Sequence, residues 1–283
     1  MSFPEVAPTM PSRFTDPSEL QRLEDLQFQF VSRSLEGKVI LVPGGTGGLG
    51  ACLVALLLSE GAVPVVGYRS NRTRAELVKA SLEAKWGGTV HLIEGDLREE
   101  EARICLLEEA TKLTGFIHGL ACLVGDLARV AFDKLTSSDL ARSCETNFVV
   151  PAMLAKAVGE HMIARQVHGS LVLLSSMQGI GIFENSLNYA APKAAIVHAC
   201  RILAKQWSDR YVQVNVVAPG ATTAGMASAS VTAGKYDRYV EQGVVNRFGR
   251  AEDVARAIRF LLEPNSYITG QVLLVDGGMS LKA

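Results

Sequence analysis

A serine, a tyrosine and a lysine in the stretch 176–193, SMQGIGIFENSLNYAAPK, have the types and the spacing that carbonyl reduction requires. A phenol releases its proton reluctantly at neutral pH, because its ordinary pKa is about 10. A tyrosine acting as general acid therefore needs a cation nearby to stabilise the phenolate it leaves behind. Lys193 follows Tyr189 by four residues, and on a helix two such residues share a face. An ammonium carries more donors than the phenol needs, so the rest can reach a sugar hydroxyl. Ser176 follows the apolar run 171–174, which reads as a buried strand. A hydroxyl at a strand end, facing a phenol on a helix, makes a two-donor site for a developing alkoxide.

A tyrosine and a lysine at this spacing also occur by chance on solvated helices, so the weight falls on the elements that must position them. A strand over 38–42 runs into the turn PGGTGGLG, in which Gly44, Gly45, Gly47, Gly48 and Gly50 surround Thr46 and Leu49, and an apolar helix follows over 51–58. Glycines there let the backbone approach a pyrophosphate at a helix N-terminus, where free N–H groups and the helix dipole favour an anion. Such a turn can be a mere tight connection, but its place between a first strand and a first helix favours nucleotide binding. A second strand over 62–67 leads to Tyr68, Arg69, Ser70, Asn71 and Arg72. An acid at this strand end grips a free ribose 2′-hydroxyl, whereas an arginine accommodates a 2′-phosphate. No acid is present, so the sequence predicts NADP(H); the other reading makes Arg69 and Arg72 ordinary solvated charges at a helix start.

With Ser176 thirteen residues before Tyr189 and the glycine turn well upstream, the chain from about Leu35 to its end resembles the short-chain dehydrogenase/reductase family. Within that family it is similar to 3-oxoacyl-[acyl-carrier-protein] reductases. The resemblance implies that Asn147, within a helix expected over 138–159, completes a catalytic tetrad with Ser176, Tyr189 and Lys193. It also implies that Asp96, followed by Leu97 after a strand over 89–93, holds the adenine amine, although Asp96 could equally cap a helix. Cys122-Leu123-Val124-Gly125 ends the strand 116–123 where relatives have Asn-Asn-Ala-Gly, and Pro43 stands where the glycine pattern has threonine. Pro219 and Gly220, after a strand over 212–217, match the turn beside the nicotinamide. The threonine that relatives place after that proline corresponds to Ala224, with Thr222 and Thr223 nearby. Cofactor contacts are accordingly expected from Gly44, Thr46, Gly48, Leu49, Gly50, Arg69, Ser70, Asp96, Leu97, Cys122, Gly125, Tyr189, Lys193, Pro219, Gly220 and Thr222.

At 283 residues the chain has room for one large α/β domain. Strands alternating with helices from Lys38 to Val275 predict a Rossmann-type doubly wound sheet, mostly parallel and seven-stranded, with helices on both faces. The proline-rich residues 1–34, with a short helix signal beginning at Asp16, form an N-terminal extension to a catalytic domain over 35–283. The small-residue-rich segment 223–243 reads as a substrate lid. Pro192 is expected near the start of its helix.

Lys and Arg number 28 against 29 Asp and Glu, which gives no electrostatic reason to expect nucleic acid or an anionic membrane as partner. No apolar run is long enough to span a bilayer and no signal peptide is evident, so a cytoplasmic location is expected. Five cysteines and five histidines show no ligand spacing, and no metal site is predicted; His198 reads as a helix-packing residue. The expected activity is NADPH-dependent reduction of a ketone, on a small molecule or an acyl thioester. A homo-oligomer, tetramer or dimer, is implied by the resemblance. Two rivals stand beside it: an NADP(H)-binding sensor or assembly protein without turnover, and an NAD-dependent alcohol dehydrogenase.

Overall fold

Short runs of β-branched and aliphatic residues, buried on both faces, can only be central strands of a parallel sheet, and each helix after them must cover one face. The computed structural model describes residues 33–127, 129–264 and 266–281; of the expected N-terminal extension only Arg33 and Ser34 fall among them. The strands are β1 (Val39–Pro43), β2 (Val63–Tyr68), β3 (His91–Glu94), β4 (Gly119–Cys122), β5 (Gly169–Leu174), β6 (Val212–Pro219) and β7 (Val272–Val275). They form one parallel sheet in the order β3-β2-β1-β4-β5-β6-β7. This is the doubly wound, seven-stranded arrangement expected. Every residue of β1 and β5 is buried.

Between the strands run α1 (Gly48–Ser59), α2 (Arg72–Trp86), α3 (Glu100–Thr114), α4 (Ser137–Cys144), α5 (Val150–Ala164) and α6 (Leu187–Gln206). The short helices α7 (Ser228–Thr232) and α8 (Asp237–Glu241) precede α9 (Ala251–Leu261). One face of the sheet is packed by Leu106 of α3, Leu154 of α5 and Ile196 of α6 against Leu41, Leu120 and Val214. The other is packed by Leu53 and Leu57 of α1 and by Val254 and Ile258 of α9 against Ile40, Val42 and Val172. Each of these side chains, fully buried, contributes about 1.5–3 kcal/mol relative to leaving it in water. A third, smaller cluster of Met177, Tyr236, Tyr239, Val245 and Met279 lies beneath the segment that carries α7 and α8.

Four local expectations change. The strand predicted over 116–123 is limited to Gly119–Cys122; His118, just before it, donates its N–H to Val39 O at 2.9 Å and accepts the Val39 N–H on its ring Nδ1 at 3.1 Å. The helix predicted over 138–159 runs from Ser137 to Ala164 and is interrupted by one π-helical stretch at Glu145–Val149, the stretch that contains Asn147. Pro192 sits inside α6, in its second turn rather than its first. It therefore offers no N–H to the carbonyl one turn back. His198, expected to pack, is exposed.

Strand order reverses between β1 and β4, and a crevice opens beyond the carboxyl ends of strands at such a switch point. The glycine turn, Asp96, Gly125 and Ser176 all follow strand ends on this side.

Candidate active site

The glycine turn is held by its own backbone. Gly44 N–H donates to Gly67 O at 2.9 Å, Gly45 N–H to Val42 O at 3.0 Å and Ala51 N–H to Gly47 O at 2.7 Å. Pro43 lacks a hydroxyl and an N–H, yet its carbonyl accepts from Leu123 N–H at 2.9 Å and so joins the turn to the end of β4. Gly44 has φ +81°, and a Cβ there would stand 3.0 Å from the Leu123 carbonyl. A Cβ on Gly50 would lie 2.4 Å from Gly44 O, so only glycine lets α1 start directly on the turn. The first turn of α1 carries no acid, and nothing there competes with an anion for the free N–H groups.

A cleft of about 590 Å³ opens over this turn and the ends of β2, β3 and β4. Of the residues expected to hold a cofactor, Gly44, Thr46, Gly48, Leu49, Arg69, Asp96, Leu97 and Gly125 line it. Gly50, Ser70 and Cys122 do not. Gly50 is packed behind the turn, Ser70 is exposed outside, and the Cys122 thiol is buried, with burial raising its pKa to about 11. Asp96 is no bare acceptor: Arg98 grips its carboxylate with Nε at 3.0 Å and Nη2 at 2.5 Å and holds its pKa down to about 2. Met226, from the segment read as the lid, also lines the cleft, as do Arg98, Arg142 and Thr146, which were not singled out from the sequence. Nor was Arg74, whose Nε reaches back from α2 to Thr46 O at 3.2 Å. Arg74 stands three residues after Asn71, the N-cap of α2, so a local signal existed.

The four residues expected to do chemistry come together at the ends of β4 and β5. Ser176 leaves β5 as an N-cap, its Oγ accepting from Gln178 N–H at 3.2 Å. Tyr189 and Ser176 line one cavity, and the Ser176 hydroxyl is near enough to the phenol to oppose the rise of its pKa. Lys193, one turn on from Tyr189, is almost fully buried; its Nζ donates to Leu174 O at 2.9 Å and stands 5.9 Å from the Tyr189 ring centre. Asn147 uses its amide on the loop after β4: Oδ1 accepts from Asp126 N–H at 3.0 Å, and Nδ2 donates to Asp126 O at 2.9 Å and to Ser143 Oγ at 3.0 Å. A Cβ on Gly125 would stand 3.1 Å from Asn147 Oδ1 and 3.3 Å from Lys193 Nζ. Gly125 is thus the small residue that lets the amide and the ammonium approach.

Burial sets the proton affinities. It lowers the Lys193 pKa to about 8. It pushes the Tyr189 phenol above its ordinary value, opposed by the Ser176 hydroxyl and by the charge of Arg129. Lys193, expected to lower the phenol pKa, is not among the groups that oppose that rise. One of its three donors goes to the Leu174 carbonyl.

A second cavity lies against Tyr189 and Ser176 and is also lined by Gln178, Pro219, Gly220, Thr222, Arg129 and Tyr236. It shares Leu49, Leu174 and Met226 with the larger cleft, so the two adjoin at the tetrad. Thr222 is near, but its hydroxyl donates to Ala224 O at 2.9 Å. Gln178 is locked by Ser186, whose hydroxyl donates to its Oε1. Among the described residues no group of three or more His, Cys, Asp or Glu side chains is placed to hold a metal, and no helix is long and apolar enough to cross a membrane.

Comparison with known proteins agrees with this geometry. The family model described as Enoyl-(Acyl carrier protein) reductase matches residues 44–280. A 3-oxoacyl-[acyl-carrier-protein] reductase of Aquifex aeolicus is 32% identical over 246 residues, covering 87% of this chain and 98% of the relative. An acetoacetyl-CoA reductase of a Synechocystis strain is 31% identical over 250 residues, with 87% and 98% covered. The solved structure of a short-chain type dehydrogenase/reductase from Mycobacterium ulcerans superposes with a TM-score of 0.80 at 26% identity, covering 87% of this chain and 91% of that one. With a glycine turn at the β1–α1 switch point, the Ser–Tyr–Lys group facing it and relatives of this identity along nearly the whole described domain, the chain belongs to the short-chain dehydrogenase/reductase family of oxidoreductases.

Proposed function

We propose that the protein reduces a ketone to a secondary alcohol with NADPH. The observation that carries the reading is that Ser176 and Tyr189 together line a small cavity opening onto the glycine-turn cleft, with Lys193 buried beside them. The cleft suits the cofactor: glycines whose Cβ atoms would collide with backbone form a cradle, and an α1 N-terminus free of acids faces it. Gly44, Thr46, Gly48 and Leu49 would hold the pyrophosphate, Asp96 and Leu97 the adenine, and Lys193 the ribose nearest the reacting carbon. When bound, the nicotinamide supplies the hydride. Ser176 positions the carbonyl oxygen and Tyr189 gives it a proton. Asn147 anchors the loop after β4 through Asp126. The segment 223–243 closes over the substrate as a lid.

The relatives named for 3-oxoacyl and acetoacetyl thioesters support an acyl-thioester ketone as one candidate substrate. Exposed apolar side chains at Met153 on α5 and at Leu187 and Ile202 on α6 support a homo-oligomer, dimer or tetramer, and we place the protein in the cytoplasm. The test is NADPH oxidation by the purified protein with an acetoacetyl thioester and a panel of small ketones, each product identified as its alcohol. Tight NADPH binding with no alcohol formed from any ketone would favour a sensor or assembly role.

The choice of NADPH rests on the β2 end, where Arg69 lines the cleft and no acid stands in the stretch from Tyr68 to Asn71. Arg69→Ala is expected to raise the KM for NADPH about tenfold and to leave that for NADH within about twofold. Equal changes for both cofactors, read from paired initial-rate series, would reject the assignment.

The pH dependence of reduction follows from Lys193. With its pKa lowered to about 8, the ammonium is charged below that pH and neutral above it. The phenol, raised by burial, keeps its proton through the same range. Reduction, measured as kcat/KM from about pH 6 to about pH 10, should therefore hold steady at the acid end and fall as pH rises through about 8. A rate that climbs through that window would contradict the assignment of Lys193.

A further inference from the structure

Building on the ketone-reductase reading, we propose that Arg129 is the anion-recognition group of the substrate cavity, so that the ketone reduced carries a carboxylate. Arg129 lies in the loop between β4 and α4 and lines the same cavity as Ser176 and Tyr189. Among the described residues lining that cavity it is the one charged side chain; the others are apolar, hydroxyl, amide or backbone groups. Its hydrogen bond is a long one, Nη2 to the Tyr236 hydroxyl at 3.4 Å, and no described carboxylate pairs with it.

Several other arginines have carboxylate partners, whereas Arg103, also half-buried, donates to backbone carbonyls. Arg98 is paired with Asp96, Arg247 with Asp253, and Arg259 with Glu60 and Glu263. A half-buried guanidinium without a carboxylate partner among the described residues has lost part of its hydration and gained little in return. A ligand carboxylate supplies what is missing, and the planar fork of donors matches its two oxygens. The cavity, about 60 Å³, suits a group of carboxylate size beside the carbonyl. Tyr236 belongs to the segment that covers the cavity, so an anion on Arg129 would meet that segment's hydroxyl as well. The cation also stands near enough to Tyr189 to oppose the rise of its pKa. The same group therefore acts on both ends of a keto acid.

The experiment compares short straight-chain keto acids with the amides of the same acids, in the wild type and in Arg129→Gln and Arg129→Lys. Two readouts are taken: kcat/KM with NADPH, and binding of the acids to the NADP-saturated protein by calorimetry. The wild type should prefer acid over amide, and Arg129→Gln should lose about 100-fold in kcat/KM for the acid while the amide changes by less than about threefold. Arg129→Lys, which keeps the charge without the fork, should recover only part of the loss. Unchanged NADPH affinity and melting temperature show that the variants fold. The binding arm separates this proposal from the reductase reading: acids that bind through Arg129 without being reduced support the anion site and count against the reaction. Equal use of acid and amide by the wild type, or acid binding indifferent to Arg129→Gln, overturns the proposal.

Discussion

Tyr189→Phe is expected to lose at least about a thousandfold in ketone turnover while NADPH affinity stays within about threefold. The ring is buried and packed in α6, phenylalanine keeps that volume, and the Ser176 hydroxyl keeps its bond from Gln178 N–H, so the melting temperature should fall little. What disappears entirely is the proton donor. Ser176 remains to hold the carbonyl oxygen but has an ordinary hydroxyl, and Lys193 is turned to the Leu174 carbonyl, so neither can take over. Single-turnover rates and NADPH titration on the same preparation check both halves, and retained turnover would take Tyr189 out of its role.

The second large effect comes from a single methyl group. Gly50→Ala places a carbon 2.4 Å from Gly44 O and 2.6 Å from Gly45 Cα, contacts that no real side chain makes. Either α1 moves off the turn or the turn deforms, and overpacking of this kind costs about 1–3 kcal/mol or more. The displaced atoms are the ones that shape the cradle at the α1 N-terminus. NADPH affinity should fall by about 100-fold, beyond the drop in melting temperature. Calorimetric titration and a thermal melt separate the two. An alanine variant that binds NADPH like the wild type would show that the turn does not hold the pyrophosphate.

What the sequence made legible was local or periodic. Apolar runs marked the central strands β1, β4 and β5, because a strand buried on both faces leaves an unbroken hydrophobic signature. The glycine turn and the Tyr189–Lys193 pair were legible because their spacing is itself the geometry. The ends of elements were not: β4 begins only after His118, whose ring takes the Val39 N–H, a contact made 79 residues away. Pro192 was placed too near the start of its helix, since nothing local marks where α6 begins. Asn147 was legible as a residue but not in what it holds, because Asp126 lies 21 residues earlier and meets it only in the folded chain.

The residues missed share one property. Arg129, Gln178 and Tyr236 come from three separate segments and converge on one cavity, with no periodicity to announce them. The Lys193–Leu174 bond likewise joins residues 19 apart, and no local pattern announces it. The departures at Pro43 and Cys122 looked costly in sequence. In the fold the turn closes through backbone bonds alone, and the thiol simply fills buried space beside the sheet.

Transfer of deuterium tests the central claim most directly. NADPH labelled at its reducing carbon is mixed with the protein and a ketone, and the product is examined by mass spectrometry, with NADH and Tyr189→Phe run alongside. The account predicts a secondary alcohol carrying one deuterium on the former carbonyl carbon, formed faster from NADPH than from NADH and lost in the phenylalanine variant. Labelled alcohol formed equally well without the Tyr189 hydroxyl would contradict it.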